Sequence, residues 1–77
     1  MYKKYHIKNP KIRQMLMSLI KHKNKAEVYD LEYFNKPKFI GMWYCDDVKI
    51  RPYMINSIVD TQGIDISLEE LIEKILE

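Results

Sequence analysis

The side chain best suited to covalent chemistry in this chain is its single cysteine. Cys45 is the candidate nucleophile, and two carboxylates, Asp46 and Asp47, follow it directly. Negative neighbours disfavour the thiolate, which is the form of cysteine that attacks a substrate. We therefore interpret Cys45 as a small apolar residue of a strand and predict no catalytic role for it.

The spacing of the other polar residues also disfavours metal and phosphate chemistry. A metal ion needs three or four converging ligands, but His6 and His22 stand apart from each other and from Cys45, in lysine-rich surroundings that repel cations. Loops that bind phosphate need several glycines, whereas Gly41 and Gly63 are isolated. The sequence predicts neither a metal site nor a cofactor.

Two pairs of neighbouring acids could supply acid–base catalysis. Asp46 and Asp47 suit a solvated turn, and Glu69 and Glu70 suit the first turn of a helix, where the helix dipole favours carboxylates. Because structural roles account for both pairs, we predict that the protein is not an enzyme. The sequence points to binding instead.

Length and composition indicate one folded domain over residues 1–77. Apolar residues make up 47% of the chain and charged residues 31%, a balance that argues against disorder. A lone cysteine predicts a reducing compartment, here the cytoplasm, and no apolar run is long enough to span a membrane. Lysine outnumbers arginine eleven to two. This bias is typical of AT-rich genomes and of small proteins encoded by phages or mobile elements.

Helices are predicted near both ends of the chain. Asn9 is a good N-cap for a first helix over Pro10–His22, whose apolar residues recur every three or four positions. Ser67 is positioned as the N-cap of a last helix over Leu68–Leu76. Residues 1–8 are predicted to be a basic tail or a short edge strand.

Strands are predicted between the two helices. Ala26–Phe34 and Phe39–Cys45 form a predicted hairpin, and Val48–Arg51 begins a third strand that Pro52 ends or marks as an edge. Residues 53–60 fit either a strand or a helix, with a slight preference for a helix. The predicted fold class is α+β: a small two-layer domain with an N-terminal helix, an antiparallel sheet of two or three strands, and a C-terminal helix.

The predicted hairpin has more apolar surface than so small a domain is expected to cover. Side chains alternate between the two faces of a strand, and Phe39–Cys45 is apolar on both. One face, which includes Tyr29 and Tyr33, packs on the helices as the core side. This leaves an aromatic face free to bind a larger protein or nucleoprotein, unless residues 1–8 or 53–60 fold over it. The residues predicted to bind on this face are Val28, Phe34, Phe39, Trp43 and Cys45. We therefore predict a small regulatory protein, for example a phage- or mobile-element-encoded inhibitor; a homodimer is a further option.

Charge is unevenly distributed along the chain. Residues 1–25 carry eight cationic side chains and no acid, whereas residues 60–77 carry six acids and one lysine. Either the two ends attract each other, or the basic end binds nucleic acid, with docking on a membrane surface as a weaker third interpretation. The predicted nucleic-acid contacts are Lys3, Lys4, Lys8, Lys11, Arg13, Lys21, Lys23 and Lys25, together with Lys49 and Arg51.

The placement of Lys49 and Arg51 on the outer face depends on the turn at Asp46–Asp47. A turn of two residues places Val48 and Ile50 on the outer face beside Trp43. A turn of three residues, which includes Cys45, places Lys49 and Arg51 there instead. We prefer the longer turn slightly, because the shorter one leaves the two cations in the core.

Overall fold

The described part of the chain forms four strands and four helices. The structure is a computed structural model that describes residues 1–46 and 48–77. The strands lie side by side in the order β3-β2-β1-β4. In chain order the elements are β1 (Lys3–His6), α1 (Pro10–Lys23), α2 (Val28–Tyr33), β2 (Phe39–Tyr44), β3 (Arg51–Met54), α3 (Ile58–Gln62), β4 (Ile64–Asp65) and α4 (Leu68–Leu76).

The two terminal helices form where their capping residues predict. The Asn9 side chain accepts a hydrogen bond of 2.8 Å from the backbone N–H of Lys11, and Asn24 ends α1 in the left-handed region at φ 55°. The hydroxyl of Ser67 accepts a hydrogen bond of 3.1 Å from the N–H of Glu70 at the start of α4. Both predicted helices are confirmed, as is the α+β fold class.

The sheet has four strands and is mixed, so the predicted antiparallel sheet of two or three strands is wrong in detail. β1 pairs antiparallel with β2 and parallel with β4, while β2 pairs antiparallel with β3. Residues 1–8 therefore contain a strand that lies inside the sheet, neither a tail nor an edge. The backbone oxygen of Tyr2 accepts a hydrogen bond of 2.7 Å from the N–H of Ile64, which closes the side of β1 away from β2.

The segment Ala26–Phe34, predicted as a strand, contains the helix α2. Its residues Ala26, Asp30 and Phe34 are buried at intervals of four, which is the spacing of one helix face. No side chain caps the start of α2, at Glu27. Such a short helix is stabilised mainly by tertiary packing, here of Phe34 in the core. The predicted hairpin between residues 26 and 45 is thus wrong.

The third strand lies three residues later than predicted. β3 begins at Arg51 rather than Val48, and Pro52 lies within it, which the edge position of β3 permits. β2 ends at Tyr44 and the connection to β3 continues to Ile50. Both predicted turns include Asp47, which lies outside the described residues. The ambiguous residues 53–60 are divided between the end of β3 and the start of α3.

The hydrophobic core lies between one face of the sheet and the helices α1 and α4, which pack on each other. Met42, Leu16 and Leu71 are fully buried there. We call the opposite side of the sheet the outer face. α3 packs against β3, and α2 packs against the same strand. β3 thereby places two short helices beside the outer face.

Candidate functional site

The aromatic face predicted from the hairpin does not exist as an exposed surface. Phe34 and Phe39 are buried, 0% and 5% exposed, with ring centroids 5.3 Å apart. The strand alternation that would place Phe39 outside is interrupted before Gly41, where β2 carries one more residue than β3. The Cζ atom of Arg13 lies 4.4 Å from the Phe39 ring centroid, and its guanidinium donates a hydrogen bond to the Phe34 backbone oxygen. Both rings therefore pack inside the fold and are not exposed at its surface.

The protein itself covers much of the outer face. The ring of Tyr53 lies against Gly41 and is buried. The Lys4 ammonium donates a hydrogen bond to the backbone oxygen of Asp60 in α3 and lies 3.8 Å from the Asp65 carboxylate. Burial, with the nearby charges of Asp60 and Asp65, raises the pKa of the Tyr53 hydroxyl to about 12. α3 thus folds over part of this face, as one alternative from the sequence allowed.

The other three predicted protein-binding residues do not form one surface. Trp43 is half-buried and meets the ring of Tyr2 edge to face, with the centroids 5.0 Å apart. Cys45 is half-buried beyond the end of β2, where its thiol donates to a carboxylate oxygen of Asp46 over 3.5 Å. Val28 is exposed at the start of α2. Of the predicted set, Trp43 is the aromatic residue that remains partly accessible.

Several predicted nucleic-acid contacts are occupied by structural interactions. Lys4 and Arg13 are held as described above. Lys25 donates a hydrogen bond of 2.9 Å to a backbone oxygen of Glu77, and Lys49 lies 3.4 Å from Glu27. The predicted contacts that are exposed are Lys3, Lys8, Lys11, Lys21, Lys23 and Lys49, while Arg51 is half-buried.

Basic residues near the start of the chain meet acids of the last helix. Lys3 lines one depression together with Glu70 and Glu73. Lys23 lines another with Glu77. Charges of opposite sign at these positions partly neutralise each other. The arrangement supports the interpretation that the two ends of the chain attract each other.

A different group of side chains forms an accessible aromatic surface where α2 meets β3. We call it the α2–β3 surface. It comprises two depressions that share the side chains of Tyr33 and Met54 as a common wall. The rings of Tyr29 and Tyr33 are 53% and 48% exposed. Its members are Tyr29, Asp30, Tyr33, Trp43, Arg51, Pro52 and Met54, with Lys36, Pro37 and Lys38 at the second depression.

One depression of this surface, about 250 Å³ in volume, contains a buried carboxyl group. Asp30 is 5% exposed, and its Oδ2 atom has no hydrogen-bond partner among the described residues. Burial raises the pKa of the Asp30 carboxyl above its ordinary 3.8, although the nearby charge of Arg51 opposes the shift. The Arg51 guanidinium lies 5.9 Å from the ring centroid of Tyr29. The opposite charges of Asp30 and Arg51 keep the net charge of this depression close to zero.

The raised pKa of Asp30 makes stability depend on pH. Below pH 3.8 the carboxyl is protonated in both the folded and unfolded states. As the pH rises past that value, the unfolded state releases its proton first, so the wild type loses stability until the pH exceeds the folded-state pKa. We expect Asp30→Asn to gain stability relative to wild type as the pH is raised above 3.8, measured by urea unfolding. A relative loss over this range would contradict the assignment.

No cluster of three or more histidine, cysteine or acidic side chains able to hold a metal is found among the described residues. Of the helices in those residues, none is long and apolar enough to cross a bilayer. Comparison with models of known families, with curated proteins and with solved structures finds no match.

The sequence interpretation missed most of the α2–β3 surface. It assigned Tyr29 and Tyr33 to the core side of a strand, where their exposure would be lost. Their spacing of four residues, between Ala26, Asp30 and Phe34, is the signal that places them beside the buried face of a helix. Tyr33 and Met54 come together only because α2 packs on β3, a tertiary contact with no local sequence signature.

Proposed function

We propose that the protein is a small, non-enzymatic binding protein that docks on a larger protein through the α2–β3 surface. The observation that carries the proposal is the shared wall of Tyr33 and Met54 between two depressions, beside the half-buried indole of Trp43. Tyrosine, tryptophan, methionine and arginine are enriched at protein interfaces, whereas lysine and glutamate are depleted there. All four residue types occur on this surface.

The chemistry of the tyrosines supports a docking role. A half-exposed ring already has its orientation restricted by packing, so it buries a large area in a complex at a small cost in conformational entropy. Tyr29 and Tyr33 project from a helix whose other side is fixed by Phe34 in the core. A partner therefore meets a preorganised surface.

The proposed role is regulatory, as an inhibitor of a larger assembly. A domain of 77 residues with one aromatic surface can act by occupying a site on its partner. The lysine-rich composition supports an origin in a phage or mobile element, which makes host machinery the proposed target. Cys45 is a free thiol, which supports the cytoplasm as the compartment.

Direct binding of nucleic acid is the weaker candidate. It relies on exposed lysines such as Lys8 and Lys11, because Lys4 and Arg13 have structural roles. Lysine alone favours contact with phosphates over recognition of bases. Capture of partners from a lysate, with and without nuclease treatment, separates the two candidate functions.

We expect Tyr33→Ala to weaken binding of the partner about tenfold or more, since interface tyrosines often contribute over 1 kcal/mol. Proteins captured from a lysate with wild type, with and without nuclease, are identified and purified. Their dissociation constants are then measured for wild type and variant. Hydrogen exchange should show protection of residues 29–33 and 51–54 in the complex.

The matched control is Ile64→Ala, which truncates an apolar side chain of similar exposure on β4, at the opposite edge of the sheet. This variant should bind as wild type does. Equal weakening by both variants, or capture that nuclease abolishes, would overturn the proposal. Sedimentation of the purified protein identifies the case in which a second copy of the chain occupies the surface.

A further inference from the structure

The second depression of the α2–β3 surface combines an apolar wall with a basic rim. It has a volume of about 350 Å³, and carbon atoms of Tyr33, Pro37 and Met54 contribute to its wall. Lys36 and Lys38 line it on the connection between α2 and β2. Their aliphatic stems extend the apolar wall, which leaves the ammonium groups at its edge.

The connection that carries both lysines is held at several points by backbone hydrogen bonds. The N–H of Lys36 donates to the oxygen of Tyr33 over 3.1 Å, and the oxygen of Lys36 accepts from Phe39 over 3.1 Å. The oxygen of Lys38 accepts a bond of 3.0 Å from the N–H of Ile55, just after β3. The depression is thus preorganised, so its ligand does not have to order the loop.

The charges of the two lysines are available to a ligand. Both side chains are exposed, and no ion pair joins either ammonium to a carboxylate among the described residues. The wall between them favours an apolar group over a purely ionic ligand, because its carbon atoms offer no hydrogen bond. The matching ligand has an apolar side chain and carries negative charge on both sides of it.

We infer that this depression binds a protein segment in which an apolar side chain is flanked by glutamates or aspartates. The inference rests on the proposed function, because it assigns the chemistry of the partner to one end of the same surface. The apolar side chain enters between Tyr33, Pro37 and Met54, and the flanking carboxylates approach Lys36 and Lys38. Each ion pair is exposed, so the pairs select the partner more than they increase affinity.

The probe is a short acetylated peptide with a central leucine flanked by glutamates, and the counter-probe has lysines in place of the glutamates. In an amide NMR titration of the wild type, the acidic peptide should shift resonances of residues 33–38 and 54–55. The basic peptide should shift them at least about tenfold less at equal concentration. Equal shifts with both peptides, shifts elsewhere in the protein, or no shifts would overturn the inference.

The decisive variant is the double charge reversal Lys36→Glu with Lys38→Glu, compared with the matched control Lys8→Glu with Lys11→Glu. The first should weaken the acidic peptide about tenfold, and the second should leave its binding unchanged. Stronger shifts of the same residues with a single-stranded oligonucleotide than with the peptide would overturn the inference in favour of a phosphate ligand.

The captured partner separates failure of this inference from failure of the proposed function. If Tyr33→Ala releases the partner but Lys36→Glu with Lys38→Glu does not, the acidic segment is disproved and docking at the α2–β3 surface stands. If Tyr33→Ala retains the partner, the proposed function itself is wrong.

Discussion

Replacing Phe34 with alanine should remove about 3–5 kcal/mol from the free energy of unfolding. The Phe34 side chain is 0% exposed and its ring packs 5.3 Å from that of Phe39. Truncation removes this apolar contact and leaves a cavity that rigid neighbours cannot fill. Small domains are stable by about 0.05–0.15 kcal/mol per residue, so the loss is a large part of the total. Urea unfolding followed by circular dichroism measures it.

The adjacent Tyr33 provides the matched control. It carries a ring of nearly the same size, but that ring is 48% exposed. Tyr33→Ala should therefore cost about 1 kcal/mol or less in stability, although it should weaken binding of the partner. Similar losses of stability for the two variants would show that α2 does not bury Phe34 and expose Tyr33.

Replacing Gly41 with alanine should cost about 3 kcal/mol or more, and the variant should be largely unfolded if the wild type is marginal. An added Cβ atom would lie 2.6 Å from Cζ of Tyr53 and closer still to the backbone oxygen of Tyr5. The oxygen belongs to the neighbouring strand β1, so relief requires the sheet itself to move. The unfolding midpoint in urea measures the effect.

A second background identifies which contact is responsible. In a Tyr53→Leu protein, Gly41→Ala should cost less than in wild type, because the ring is gone, but it should still destabilise through the oxygen of Tyr5. An unchanged midpoint for Gly41→Ala in the wild-type protein would contradict the close packing of Tyr53 on β2.

Local signals were enough to predict the terminal helices. Asn9 and Ser67 are capping residues that act within one turn of their own helix, so their effect is visible in the sequence. The strand predicted over Phe39–Cys45, observed as Phe39–Tyr44, has a similar basis, since its apolar run is bounded by turn residues. These elements needed no knowledge of distant contacts.

The remaining elements depend on contacts that the sequence does not display. β1 carries two lysines and resembles an edge strand. Lys4 is nevertheless buried, because its ammonium contacts the backbone oxygen of Asp60 and the carboxylate of Asp65. The alternation of residues 28–33 fits a strand and a helix equally well, and the burial of Phe34 decides for the helix. The candidate site differs from the predicted one for the same reason, because it lies where α2 packs on β3.

The central position of β1 has a consequence for biosynthesis. This strand precedes the other described elements in the chain, whereas β4, which pairs with its second side, follows all the other strands. A ribosome-bound chain thus cannot complete the sheet until β4 at Ile64–Asp65 has emerged. Folding should be slower than the helical content suggests, because closing so large a loop carries an entropic cost. During that interval the unpaired side of β1 is open to chaperones or to other nascent chains.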